Sequence, residues 1–126
     1  MEGHIRLALV IRHRLFRDVL VRWLADSAGD VEVVASVGSV DELRGEPGWG
    51  ADAVVVEPGC SADAQLAEDL TALVCSGSRV IMLCEDPDPV TARVAARAGV
   101  SAQLTRSARG EELLAALHAP TSASAC

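Results

Sequence analysis

The sequence predicts an α/β fold: a doubly wound, three-layer domain in which a parallel sheet of five strands lies between helices. Five short, mostly apolar runs alternate with five segments that have helical spacing or helix-capping residues. The strand runs are apolar almost throughout, which is typical of parallel strands buried on both faces. Right-handed crossovers place helices on both sides of such a sheet. A length of 126 residues, 50% of them hydrophobic, is enough for one domain with its own core.

The first half of the chain contains three predicted strands and two predicted helices. The strands are expected at residues 5–11, 31–37 and 53–57. Gly29 is predicted to end the first helix as a left-handed cap, and Ser39 to begin the short second helix. Apolar residues recur at helical spacing in the first helix and predict its buried face: Leu15, Phe16, Val19, Leu20, Trp23 and Leu24.

The second half repeats the alternation, with strands expected at residues 79–84 and 101–105. Ser61 is expected to cap the third helix, and Asp88, followed by Pro89, to begin the fourth. The glycines placed to end these two helices and the apolar residues of the last helix are Gly77, Gly99, Leu113, Leu114 and Leu117.

The domain organisation follows from this alternation. A five-stranded doubly wound sheet of this kind is expected to have the flavodoxin-like strand order 2-1-3-4-5. We assign residues 1–119 to a single domain. Residues 120–126, with the sequence PTSASAC, have the composition of a tail or of the start of a linker.

Charge and composition narrow the classes of function. The formal net charge of −7 makes nucleic-acid binding by this chain alone unfavourable. All 11 basic residues are Arg, so chemistry that needs a lysine amine is excluded. The four cysteines lack the spacing of metal ligands, and neither a metal nor another cofactor is expected. The sequence does not predict a secretory signal or a membrane span, and a cytoplasmic location is expected.

The third predicted strand, in ADAVVVEPG, stops on a carboxylate. In an open α/β sheet, ligands and chemistry gather at the carboxyl ends of the strands. Glu57 is therefore a candidate functional residue.

Five blocks of sequence cover nearly the whole chain, from about residue 5 to residue 119: RHRLFRDVLVRWLADSAGDVEVVASVGSVDEL, ADAVVVEPG, RVIMLCEDPDP, RVAARAGVSAQLTRS and EELLAALHA. Taken in this order, they resemble the receiver domain of response regulators, which has the CheY-like fold. The resemblance is strongest to the receivers of LuxR-type transcriptional regulators. It implies a regulatory domain of a two-component system with no enzymatic activity.

The resemblance also implies a phosphorylation site, from which this sequence departs. Such receivers bind Mg²⁺ with an acidic pair after the first strand and accept a phosphoryl group on an Asp after the third. A hydroxyl residue and a Lys follow the fourth and fifth strands. In this chain the five positions fall on Ile11, Arg12, Glu57, Cys84 and Arg106. With one carboxylate left of three, we expect no useful Mg²⁺ site and no phosphorylation switch.

What the altered pocket does is open to several interpretations. An Arg–Glu pair between Glu57 and Arg12 or Arg106 would either imitate a phosphorylated Asp or only neutralise two charges. Alternatively, Arg12, His13, Glu57 and Arg106 would bind a small acidic ligand, or form a solvated cluster without a ligand.

Two cysteines are expected near the same edge of the sheet. Cys60 follows the third strand and Cys84 ends the fourth. They are either buried, unreactive thiols or the parts of a redox switch.

The function that we predict is a phosphorylation-independent receiver, the regulatory part of a transcriptional regulator, which forms a homodimer and meets DNA only through a domain outside this chain. The alternatives are a stand-alone adaptor that docks on a protein, a receiver gated by a small molecule, and a receiver phosphorylated on Glu57. The resemblance implies a partner surface on the last two helices, with charges from Arg93, Arg97, Arg109, Glu111 and Glu112.

Overall fold

A computed structural model describes residues 4–61, 63–86, 88–105, 107 and 109–119. Within these ranges the chain forms five strands and five α-helices. The strands are β1 (Ile5–Val10), β2 (Val31–Val37), β3 (Ala53–Val56), β4 (Arg79–Cys84) and β5 (Ala102–Thr105). The helices are α1 (Arg14–Ser27), α2 (Val40–Arg44), α3 (Leu66–Cys75), α4 (Pro89–Ala98) and α5 (Gly110–His118). The predicted tail at residues 120–126 lies outside the described residues.

The strands form one parallel sheet in the order β2-β1-β3-β4-β5, which confirms the predicted strand order and fold class. Val10 at the end of β1 pairs with Val37 on one side and with Val56 on the other, and Val56 pairs with Met82 of β4. Because all strands run the same way, residues that follow β1, β3 and β4 meet at one edge of the sheet.

Two hydrophobic cores lie on opposite faces of the sheet, as a three-layer fold requires. One face packs against α2, α3 and α4 through residues such as Leu43, Leu70 and Ala95. The other face packs against α1 and α5, with Leu24 and Leu117 in the contact. The central strands supply alternate side chains to both cores and are therefore apolar throughout.

Several predicted helix boundaries are confirmed. The Ser39 hydroxyl accepts a hydrogen bond from the backbone N–H of Glu42 at 3.1 Å and caps α2. The Asp88 carboxylate accepts from both the backbone N–H and the hydroxyl of Thr91, at 3.3 and 2.6 Å, and caps α4. Gly99 ends α4 with φ of 97°, a left-handed conformation that favours glycine.

The predicted cap at Gly29 is wrong. Helix α1 ends at Ser27, and the backbone N–H of Ala28 closes its last turn by donating to the Leu24 carbonyl at 2.9 Å. Gly29 does not have a positive φ. The helix ends without a left-handed residue because Ala28 leaves helical geometry first.

The predicted cap at Ser61 is also wrong, because α3 begins later, at Leu66. The Ser61 hydroxyl instead donates to the carboxylate of Asp69 at 2.6 Å. Asp69 is buried and also accepts from the Arg44 guanidinium at 2.9 Å. A buried carboxylate needs such hydrogen-bond donors. The Ser61 hydroxyl therefore bonds to Asp69 and does not cap α3.

The sequence pattern predicted more buried residues on α1 than the structure shows. Leu20 and Leu24 are buried, but Leu15 is 79% and Val19 57% exposed. Trp23 is half-buried and lies against Gly110 at the start of α5. Helical spacing marks an apolar arc, whereas the neighbouring elements decide how much of that arc they cover.

Helix α1, with 14 residues, is the longest of the described helices. None of these helices combines the length and the apolar character that a membrane span needs.

The contact between Trp23 and Gly110 predicts a selective loss of stability. In Gly110→Ala, the new methyl group would overlap the indole of Trp23, and overpacking of this kind costs about 1–3 kcal/mol. Gly29→Ala is the matched control, because a methyl group there meets no atom within 4 Å. We expect urea unfolding to show the loss for Gly110→Ala only. Equal stability of the two variants would contradict the packing of α1 against α5.

Candidate functional site

The candidate site is a cleft at the carboxyl edge of the sheet. Arg12 and Glu57 follow β1 and β3, and Cys84 ends β4, so the parallel register brings all three to the cleft. Its volume is about 260 Å³, slightly below the range of about 300–1,000 Å³ typical of small-molecule pockets.

Glu57 is buried at this edge, with 7% of its surface exposed. Its backbone N–H donates to the Val10 carbonyl at 3.0 Å and extends the contact between β1 and β3 by one residue. Its Oε1 accepts from the backbone N–H of Arg12 at 2.9 Å. A hydrogen bond from an amide to a carboxylate is charge-assisted and therefore stronger than one between neutral groups.

The expected side-chain pair between Arg12 and Glu57 is wrong. The Arg12 contact is made by the backbone amide, and between these two described residues there is no ion pair through the guanidinium. The Arg12 side chain is exposed. The amide donates because the turn after β1 points the backbone at the carboxylate, a direction that residue type does not encode. The other expected partner, Arg106, lies outside the described residues.

Ile11 is fully buried, and its side chain belongs to the core between the sheet and helices α1 and α5. Its carbonyl oxygen accepts from the guanidinium of Arg17 at 3.0 Å. At the first position implied for the acidic pair, the chain therefore presents an aliphatic group to the core and a carbonyl that already has a donor.

Arg17 also reaches this site, although the sequence pattern did not indicate it. It lies one turn into α1, and its backbone N–H donates to the His13 carbonyl at 2.9 Å. The side chain reaches back to the end of β1. The signal that the sequence offered was an Arg near the start of a helix that directly follows a strand. Helical spacing by itself only places Arg17 on the polar face of α1.

His13 precedes α1, and its exposed side chain lines the cleft without capping the helix. Among the described lining residues, Arg12 and His13 face four carboxylates: Glu57, Glu85, Asp86 and Asp88. An acidic ligand would meet more negative than positive groups here, which does not favour the acidic-ligand interpretation.

The two cysteines near the cleft lie in environments that disfavour the thiolate form. Cys60 is buried, and its thiol donates to the Val10 carbonyl at 3.4 Å. Burial, helped by the nearby charge of Glu57, raises the pKa of the Cys60 thiol to about 11. Burial is also the main cause that raises the pKa of the half-buried Cys84, with Asp88 and Glu57 adding to it. Since the thiolate is the reactive form, both environments favour unreactive thiols.

No group of three or more His, Cys, Asp or Glu side chains within the described ranges is arranged to hold a metal ion.

Several solved structures are similar to this chain in fold. The signal receiver domain of the response regulator NarL from Mycobacterium tuberculosis matches with a TM-score of 0.73 and 19% identity, over 94% of this chain and 100% of that chain. A DNA-binding response regulator of the LuxR family from Staphylococcus aureus matches with a TM-score of 0.76 and 18% identity, over 90% and 95% of the two chains. The receiver domain of a modulated diguanylate cyclase from Desulfovibrio desulfuricans matches with a TM-score of 0.77 and 17% identity, over 90% of each chain.

No protein-family model and no curated protein sequence matches the chain. The structural matches establish the fold: the chain has the CheY-like fold of response-regulator receiver domains, including receivers of the LuxR family. The fold predicted from the sequence blocks is confirmed.

The thiol environments predict an order of reactivity. At about pH 8, a thiol with a pKa of about 11 is ionised to about one part in a thousand, so Cys60 should resist iodoacetamide in the folded protein. The more exposed Cys84 should be labelled first. Peptide mass spectrometry measures both rates, and Cys60→Ser and Cys84→Ser identify the peptides. Labelling of Cys60 as fast as that of Cys84 would contradict the assigned burial.

Proposed function

We propose that this chain is a receiver domain that works without phosphorylation, as the regulatory and dimerising part of a LuxR-type transcriptional regulator. The observation that carries the proposal is the contact of the buried Glu57 carboxylate with the Arg12 backbone amide at 2.9 Å. At the position implied for the phosphoacceptor, the chain has a carboxylate that already receives a hydrogen bond from within the domain.

The loss of metal ligands supports the proposal. Mg²⁺ needs oxygen ligands in near-octahedral geometry, and receivers of the resembled family supply them from three carboxylates. Here the Ile11 side chain lies in the core, and Arg12 brings a positive charge to the cleft. Without the metal, nothing neutralises the charge that develops on a phosphoryl group in transfer.

The residues at the two positions that would hold a phosphate also support the proposal. Cys84 stands where a hydroxyl is implied, and its thiol is a weak hydrogen-bond donor. Arg106 stands where a Lys is implied and replaces a compact ammonium with a planar guanidinium.

The regulatory part of the proposal concerns α4 and α5. The charged residues implied for a partner surface are all exposed: Arg93, Arg97, Arg109, Glu111 and Glu112. We assign this surface to a second copy of the chain and DNA contact to a domain outside it, in the cytoplasm. The similar regulator from Staphylococcus aureus is described as DNA-binding. A stand-alone adaptor that docks on a protein is an alternative, and it would use the same exposed surface.

A second candidate is a receiver gated by a small molecule in the cleft. The observation that favours it is the presence of about 260 Å³ of space beside Glu57, where cationic and acidic side chains face each other. A small ligand that carries both charges suits this lining better than a purely acidic one.

The phosphorylation-independent function predicts inertness to phosphodonors. We expect no mass gain when the protein is incubated with acetyl phosphate and Mg²⁺, because Ile11 and Arg12 stand at the positions implied for the acidic pair that holds the metal. Intact-protein mass spectrometry makes the measurement, with a receiver that keeps the acidic pair and the Asp as the positive control. A gain of one phosphoryl group that Glu57→Gln abolishes would overturn the proposal.

The imitation of a phosphorylated Asp by Glu57 gives a separate prediction about dimerisation. If the carboxylate holds an active-like state, Glu57→Ala should raise the dimer dissociation constant by about tenfold or more, the equivalent of one charged hydrogen bond. Arg12→Ala should have little effect, since the backbone amide makes the contact. Analytical ultracentrifugation measures the constant.

Glu85→Ala is the matched control for this experiment, because it removes an exposed carboxylate from the same cleft. A dimer constant that is unchanged in Glu57→Ala would leave Glu57 as a charge-neutralising group only.

A further inference from the structure

The last turn of α5 is tied to the loop between α1 and β2 by one histidine. Nε2 of His118 lies 2.6 Å from Oδ2 of Asp30, and Nδ1 lies 2.8 Å from the carbonyl oxygen of Leu114. The two side chains of the ion pair are 43% and 47% exposed, so both are accessible to solvent. Asp30 and His118 are 88 residues apart in sequence.

This geometry demands a charged imidazole. A carbonyl oxygen and a carboxylate can only accept hydrogen bonds, and a neutral imidazole has a single N–H to donate. Both ring nitrogens of His118 face an acceptor, so both bonds form only when both nitrogens carry a proton. The observed arrangement is therefore that of an imidazolium between two acceptors.

We infer that His118 and Asp30 form a proton-operated latch, which holds the C-terminal turn of α5 to the α1–β2 loop most firmly when His118 is protonated and loosens it when the proton leaves. Release breaks one of the two hydrogen bonds of His118 and its ion pair with Asp30, and it transfers one proton to solvent. This device goes beyond the proposed function and does not depend on it.

The charged groups around the latch come from other elements. Arg79 of β4 donates to the Leu117 carbonyl at 2.6 Å and opposes the charge on His118. A second cleft lies at the amino end of the sheet and is lined by His118 and Arg79. His4, before β1, and Asp52, before β3, line this second cleft as well. The contact of Arg79 with the end of α5 goes to a backbone carbonyl, so it does not require the proton on His118.

The signs of the titrations define when the latch is closed. The bond to Asp30, followed by the bond to the Leu114 carbonyl, raises the pKa of His118 above its ordinary value of 6.5. The bond to His118 lowers the pKa of Asp30 below its ordinary value of 3.8. The contribution of the latch is present between these two folded-state pKa values. It is lost as pH rises through that of His118 and again as pH falls through that of Asp30.

Helix α5 joins the domain to residues 120–126, so the latch acts on the element through which the rest of the chain is attached. A change of pH around neutrality would therefore alter how firmly this helix end is held.

The first test is an NMR titration of the His118 ring in the full chain. We expect a midpoint above 6.5 in the wild type and a clear downward shift in Asp30→Asn, which keeps the shape of the side chain but removes its charge. Asp26→Asn, which neutralises an exposed carboxylate near the end of α1, should leave the midpoint unchanged. A wild-type midpoint at or below 6.5, or no shift in Asp30→Asn, would overturn the latch.

The second test measures the release itself by amide hydrogen exchange at about pH 5.5 and about pH 8.5, corrected for intrinsic rates. Protection of the last turn of α5, relative to β3, should fall by about threefold to tenfold at the higher pH in the wild type. In Asp30→Asn it should be low at both values. Protection that is independent of pH in the wild type would overturn the proposal, whatever the titration midpoint.

Discussion

The parallel ladder through β1, β3 and β4 is the constraint on which the rest of the molecule depends. The central residues of these strands are buried on both faces, because one helical layer packs on each side. Functional side chains can therefore emerge only where the strands end. The residues that follow β1 and β3 and the last residue of β4 thus determine the chemistry of the carboxyl edge.

At that edge the carboxylate of Glu57 is bonded from within the domain. A buried carboxylate is unfavourable unless donors surround it, and the Arg12 amide is one such donor for Glu57. The neighbouring Ile11 packs into the core, and Arg17 takes up its carbonyl. Two oxygens at this edge, Oε1 of Glu57 and the carbonyl of Ile11, therefore already accept hydrogen bonds from within the domain.

The opposite end of the sheet has a different character. There His118, Asp30 and Arg79 connect α5 to the loop after α1 and to β4, with the histidine as the group that changes charge near neutral pH. The contacts at the carboxyl edge are hydrogen bonds from the Arg12 amide and the Arg17 guanidinium. The contact of the α5 terminus with Asp30, in contrast, depends in part on the protonation of His118.

The sequence by itself predicted the alternation of strands and helices and the caps at Ser39, Asp88 and Gly99, because periodicity and capping are set by neighbours along the chain. The strand order followed from the fold class that this alternation indicates. The predicted strand ends also indicated which residues lie at the carboxyl edge. The tertiary structure alone decided that Arg12 meets Glu57 through its amide, and that Ser61 serves Asp69 instead of capping α3. It also decided that His118 meets Asp30. These contacts join distant parts of the chain, and their partners are selected by packing and by the need of buried polar groups for hydrogen bonds, neither of which local sequence encodes.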